Sequence, residues 1–324
     1  MGRRNALDCR GECAGREPER RRLRIGLREI VMRVLRHVSK SLPALALMAG
    51  AFAVAQSSST EWQKSYSVPG KASVYVSTGD ASLEIHTCGS CGQVQVRVNW
   101  RDRKASDFAL SESQSGNQVN FDLREKTHMG VHFGFGNWHA PQVMVEVPTQ
   151  MDLTAKTTDG ALKVDGIQGN VELHTSDGAV SVDNVSGALR LTASDGSIHM
   201  HNLAGTLESR SSDGAAEISG RFTALQVHTS DGALDLTLAD GSNLTAPSRI
   251  DSSDGSVKIH LPHTLAVDLE MHTSDGGIKS DLPLAMNGYD SGKDSGHNLH
   301  GRFNGGTVPL VVHTSDGGVS ISAL

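Results

Sequence analysis

The 324-residue chain is long enough for a sizeable core, is 37% hydrophobic but only 4% aromatic, and carries 35 glycines. That balance fits an all-β or repeat protein and argues against a helical enzyme. Residues 1–55 hold 12 basic and 5 acidic residues, so the remainder keeps 18 basic against 31 acidic, a formal net charge of −13, which excludes nucleic acid or an anionic membrane as a partner of that remainder as a whole.

At the N-terminus a basic stretch precedes the apolar run 42–55, with small residues at Ala53 and Ala55. This predicts a secretory signal peptide over 1–55, cleaved before Gln56. Met32 offers an alternative translation start, from which the basic region reads MRVLRHVSK. The apolar run falls short of the ~20 residues that span a bilayer, so no transmembrane helix is expected in the mature chain.

Residues 56–141 form the next region. Strand-like runs (SVYVS, SLEIH, QVQVRVNW, QVNFDLR) alternate between longer loops, and nine of the twelve aromatics after residue 55 fall between Trp62 and Trp138. The region is expected to be an N-terminal β cap that shields an open sheet edge. Cys88 and Cys91 lie in a turn between two such strands, no second Cys pair completes a zinc site, and export favours oxidation, so a Cys88–Cys91 disulfide is predicted. The loop EKTHMGVHFGFGNWHAP gathers His128, His132, Phe133, Phe135, Trp138 and His139. Three readings stand there: a hairpin tip folded onto the cap, a partner- or glycan-binding surface, and a transition-metal site.

From 142 to 324 the chain repeats. Asp-Gly pairs stand at Asp159, Asp177, Asp195, Asp213, Asp231, Asp254, Asp275 and Asp316, the first five 18 residues apart and the later ones separated by loops, with an insertion near 285–307. Columns three and five residues after each Asp, and four before, are apolar except at Ser209 and Ser280. Alternation within each run is that of a strand buried on one face. A second corner is marked by Gly169, Gly187, Gly205 and Gly241. Each unit therefore reads as one coil of a solenoid that is stable only when stacked. The predicted fold is all-β: a parallel β-helix or β-roll-like solenoid with an N-terminal β cap.

The Asp row has three candidate roles: catalytic carboxylates, calcium ligands or structural turns. Gly accepts positive φ, and Asp can bond its own downstream backbone, which suits a tight turn. The glycine-rich nonapeptide of calcium-binding β-rolls is missing, so the eight acids are assigned to turns, and neither cofactor nor resident metal is expected. His174, His228, His272 and His313 share one column three residues before the Asp. Thr192 and Arg210 separate the first two, which places them about three coils, or ~14 Å, apart.

The segment VMVEVPTQMDLTAKTTDGALKVDGIQGNVELHTSDGAVSVDNVSG and the closing GRFNGGTVPLVVHTSDGGVSIS resemble the bacterial putative-adhesin family of unknown function built from β-strand repeats. The resemblance covers about 66–324 and implies an exported β-solenoid with no catalytic residue to carry over. A non-catalytic structural or interaction protein of the cell envelope or surface is therefore expected, in the periplasm, on the surface or outside the cell. Its partner would be an envelope or surface protein or a glycan. The alternatives are a cation-responsive β-roll module and a polysaccharide-active lyase or hydrolase. Few aromatics after residue 142, and no nucleophile motif, count against the enzyme.

Overall fold

The computed structural model describes residues 60–126, 139–285 and 296–324. The leader 1–55 and the loop residues His128, His132, Phe133, Phe135 and Trp138 lie outside the described residues. Within the unit Gln56–Leu324 the described residues are all-β and solenoid-like. Each coil contributes one strand before its corner Asp and one after it, which gives two ladders of strands facing each other across a single interior.

The repeat period sets the register directly. Strand Gln168–Thr175 runs parallel to Ser186–Ala193, with each residue opposite the one 18 later, and Val180–Asp183 pairs Ile198–His201 in the same way. Because the register equals the period, each apolar column becomes a line of contacts along the axis. Leu173 and Leu191, Val180 and Ile198, and Val182 and Met200 stack this way and are buried. The interior is therefore made of like on like, the economy of a repeat that buries its face only against copies of itself. Ser209 keeps its place in this interior, fully buried between Leu191 and Val227.

Coils do not stack in sequence order at the ends. The last coil in the chain, Pro309–Thr314 with Val319–Ala323, inserts between the Asp254 coil and the Asp275 coil. The first coil, Ala72–Thr78 with Ser82–Thr87, is likewise second in the stack. One side of it holds the Asp159 coil, and the other holds Gln118–Glu125 and Gln142–Val147. Beyond these, antiparallel strands close the exposed edges. Phe108–Ser115 pairs Gln118–Glu125, Gln93–Asn99 pairs Gln142–Val147, and Asn298–Phe303 pairs Val267–Thr273. Such closure blocks the edge-to-edge pairing that an open coil would invite.

Among the described aromatics of residues 57–141, Tyr66, Trp100, Phe108 and Phe121 are buried. Trp62 lies 5.7 Å from Phe121 and Trp100 lies 5.5 Å from Phe108, centroid to centroid. These side chains fill the first end of the stack.

The aspartate corners are built differently from the expected turn chemistry. Among the described residues, no backbone N–H bonds the carboxylate of any of the eight. The corner is held between coils instead: the Asp177 N–H donates to Thr158 O at 2.9 Å, Asp195 to Ser176 O at 2.7 Å, and Asp254 to Ser230 O at 2.9 Å. Beneath some corners a buried hydroxyl two residues before Asp closes the turn, as where Ser252 Oγ donates to Gly255 O at 3.1 Å and Thr314 Oγ1 to Gly317 O at 2.6 Å, whereas the buried Thr175 and Thr229 hydroxyls have no partner. Nor is the glycine chosen chiefly for positive φ, because Gly178 and Gly232 lie outside the left-handed region. A Cβ on Gly178 would stand 2.1 Å from the carbonyl oxygen of Gly160. The residue type is dictated by the closeness of the next coil.

At the second corner the left-handed position falls on Gly166, Asn184 and Asn202. Here side chains do form a ladder: Asn202 Nδ2 donates to Asn184 Oδ1 at 2.6 Å, and Asn184 Nδ2 to Asp165 Oδ1 at 2.7 Å. Gly241 does not belong to this corner's glycine column. A register shift sets Phe222 opposite Gly205, and Gly241 falls in the turn after Leu234–Leu238.

Candidate interaction surface

Two features of the stack face solvent as continuous surfaces. The first is the corner edge. Stacking aligns Asp159, Asp177, Asp195, Asp213, Asp231, Asp254, Asp316 and Asp275, in that order, about one coil spacing of ~4.8 Å apart. Asp80 extends the row, because Ala72–Ser77 pairs Met151–Lys156 and sets Asp80 beside Asp159. The Asp-Gly pattern passes over it, since this corner reads Gly79-Asp80-Ala81. Glu125 follows it on the outermost coil, in register with Asp80 and ion-paired with Arg103.

Like charges at this spacing repel, and two of the carboxyls register it. The Asp213 carboxyl is held above its ordinary value, chiefly by sharing a hydrogen bond with Asp195, then by desolvation and the charges of Asp195 and Asp231. Asp80 is raised first by burial and then by Asp159 and Glu125, with Arg103 opposing. An acid whose pKa rises on folding binds its proton more tightly in the folded state. Its contribution is fully present below the unfolded pKa and is lost as pH climbs through the folded one. The variant Asp213→Asn should therefore melt slightly higher than the parent at neutral pH and low salt. The gap should close on mild acidification or with added salt, read by thermal melts across pH. An unchanged or lower melting point at neutral pH would show that the row is not repulsive.

The second surface is a groove of about 580 Å³ crossing the coils from Asp152 to Gln226. Its floor is the column Asn170, Ala188, Thr206 and Ala224, whose short side chains leave the space, above the buried Val171, Leu189, Leu207 and Leu225. One rim carries Glu172, Arg190, Glu208 and Gln226. Arg190 bonds Glu208 at 2.7 Å, and Arg210 bonds the other oxygen of the same carboxylate. At the near end Lys71 pairs with Asp152 at 2.7 Å, holding the Asp152 carboxyl below its usual range. The groove combines apolar surface with charge-compensated polar groups, and has no aromatic in its lining.

The remaining predicted residues are scattered. Cys88 and Cys91 stand side by side in the turn after Ser82–Thr87, with Cα atoms 5.9 Å apart. Of the loop cluster only His139 is described; it is exposed, with Nδ1 2.6 Å from Asp102 Oδ2, and this bond lowers the Asp102 carboxyl pKa. In the histidine column, His174 reaches His228 only through Thr192 and Arg210, three coils on. His272 and His313, 41 residues apart, stack face to face at 5.2 Å because the last coil inserts beside the Asp275 coil. Sequence spacing alone gave no sign of that pairing.

Parallel ladders in period register, glycine corners at backbone contact and end-closing antiparallel strands define a β-solenoid-like repeat protein. The chain belongs to the Toastrack DUF4097 family, whose model matches residues 72–322. Three solved structures are similar at low identity. A putative adhesin from Parabacteroides merdae is 11% identical with a TM-score of 0.42, covering 81% of this chain and 95% of that one. A putative adhesin from Bacteroides fragilis is 13% identical with a TM-score of 0.37, covering 82% and 97%. A putative lipid binding protein from Parabacteroides distasonis is 11% identical with a TM-score of 0.43, covering 82% and 96%. No curated protein matches the chain.

Proposed function

We propose that this chain is an exported, non-catalytic interaction protein of the cell envelope or surface. In this reading a parallel β-helix-like rod displays a charge-rimmed groove, and the loop carrying Phe135 and Trp138, to a protein or glycan partner. The observation that carries it is the groove: its floor stays open across consecutive coils because the column of small residues repeats with the coil, and its rim charges are already partnered. A surface of that kind binds by hydrogen bonds and shape over several repeats, as an extended chain would require. Removal of 1–55 as a signal peptide and oxidation of Cys88 to Cys91 belong to the same proposal, as does a contact role for Phe133, Phe135, Trp138 and their neighbouring histidines, since aromatics anchor interfaces.

The test is capture from a cell-envelope fraction and a panel of surface glycans with the parent and two variants. Phe135→Ala/Trp138→Ala removes the loop anchors, and Ala188→Trp fills the groove floor. At least a tenfold loss of capture in one variant, with unchanged circular dichroism, is the expected result. Equal capture by both variants, or none by the parent, would defeat the proposal.

A further inference from the structure

We propose that His199, His201 and Glu217 form a binding site for one divalent transition-metal ion, on the outer face of the ladder that follows the aspartate corners. Strand periodicity puts His199 and His201 on the same side, since they are two residues apart and flank the buried Met200. The coil register then sets Glu217 directly opposite His199 on the next strand. One ligand atom from each of the three lies within 4.8 Å of the others.

The spacing fits coordination chemistry. A tetrahedral ion with ligands at about 2.0–2.1 Å holds neighbouring ligand atoms about 3.3–3.4 Å apart. His199 Nδ1 and Glu217 Oε2 already stand at 3.5 Å. Closing the third side needs only rotamer changes, because His199 and Glu217 are exposed and their side chains can swing. His201 is the more constrained partner: half-buried, with Nδ1 3.2 Å from Ser219 Oγ. A ring that donates through Nδ1 presents the Nε2 lone pair, which is how an outer hydrogen bond orients a ligating imidazole.

Charge favours a cation at this place. Asp183 lies in register beside His201, and Asp235 beside Glu217. Among the described residues none of the three candidate ligands pairs with a Lys or Arg, and Lys163 and Lys258 each stand two coils from the centre. Two imidazoles and one carboxylate select borderline ions such as Zn²⁺, Ni²⁺ or Cu²⁺ over Ca²⁺, which takes oxygen ligands. The site is distinct from the aspartate corner row and from the groove, and it is independent of the interaction role proposed above.

The experiment is Zn²⁺ titration of the full chain, without an affinity tag, against a chromogenic chelator, repeated with Co²⁺ for its visible absorption. One ion per chain is expected, with a four-coordinate Co²⁺ spectrum. His199→Ala and His201→Ala should each weaken binding by tenfold or more and abolish that spectrum. Glu217→Gln should weaken it less, and a large excess of Ca²⁺ should not compete. His174→Ala, which removes a half-buried histidine beside Glu172, should bind as the parent does. Because these side chains face solvent, the variants should keep the parent's circular dichroism. No stoichiometric binding, undiminished affinity in His199→Ala/His201→Ala, or loss in His272→Ala/His313→Ala instead would overturn the site.

Discussion

Deleting residues 309–324 should unfold more of the molecule than it removes. In a solenoid stacked in sequence order, loss of the last coil exposes one new end and frays locally. Here the last coil is the layer between the Asp254 and Asp275 coils. Its Leu310, Val312, Val319 and Ile321 are buried, each worth roughly 2 kcal/mol, and its strands carry backbone bonds to both neighbours. Removing it strips one face from the Asp254 coil and leaves the Asp275 coil, with its antiparallel partner Asn298–Phe303, without a neighbour. The loss is comparable to the whole stability of an ordinary domain, about 5–15 kcal/mol. Limited proteolysis should therefore find 262–308 cut as readily as an unfolded segment, and urea unfolding should shift strongly to lower denaturant. If the truncated chain stays resistant through residue 285 and unfolds near the parent's midpoint, the inserted order is wrong.

That order was hidden in the sequence for a physical reason. Each coil presents the same columns to its neighbours, so Ser248–Ser252 could take either Val267–Thr273 or Pro309–Thr314 as its next neighbour, and periodicity cannot say which. The interior was legible for the same reason: Leu173, Leu191, Val180 and Ile198 are predicted and found buried because a register of 18 forces the columns together. The outward column that carries His199 has no such repetition. Lys163, Ser181, His199, Glu217 and Asp235 follow one another at one position, so the juxtaposition of two histidines with a glutamate emerges only when the register is known. The available signal was a His-x-His on the solvent side of a strand with an acid 18 residues after the first His. Asp80 escaped notice because its corner exchanges the order of Gly and Asp, while its neighbours Thr78 and Ala81 keep the fold of the turn through a Thr78 Oγ1 to Ala81 O bond of 3.2 Å. The groove was invisible because its floor is defined by what is small, and small residues stand out only once the larger rim is placed around them.

Gly232→Ala should be among the most damaging single-methyl changes in the chain. A Cβ there would sit 1.7 Å from the Gly214 carbonyl oxygen and 2.8 Å from its carbon. Both are backbone atoms of a packed coil, so no side chain can rotate away. The coils must part, and the inter-coil bonds that hold the corner, such as Asp231 N–H to Ser212 O at 2.9 Å, lengthen with them. Overpacking of this kind costs about 1–3 kcal/mol, and the loss of buried backbone bonds adds to it. An expected loss of about 3 kcal/mol or more follows, measured by urea unfolding. The control is supplied by the chain itself at Gly276-Gly277. A Cβ on Gly276 would meet the Gly317 carbonyl oxygen at 2.1 Å, whereas one on Gly277 would meet nothing within 4 Å. Gly276→Ala should thus destabilise, and Gly277→Ala should stay within about 0.5 kcal/mol of the parent. The comparison separates two reasons for a repeated glycine corner within one sequence. Gly232 and Gly276 have no left-handed φ to protect, so tolerance of alanine there would mean the coils can open without cost, and the close-contact account of the corner would fail.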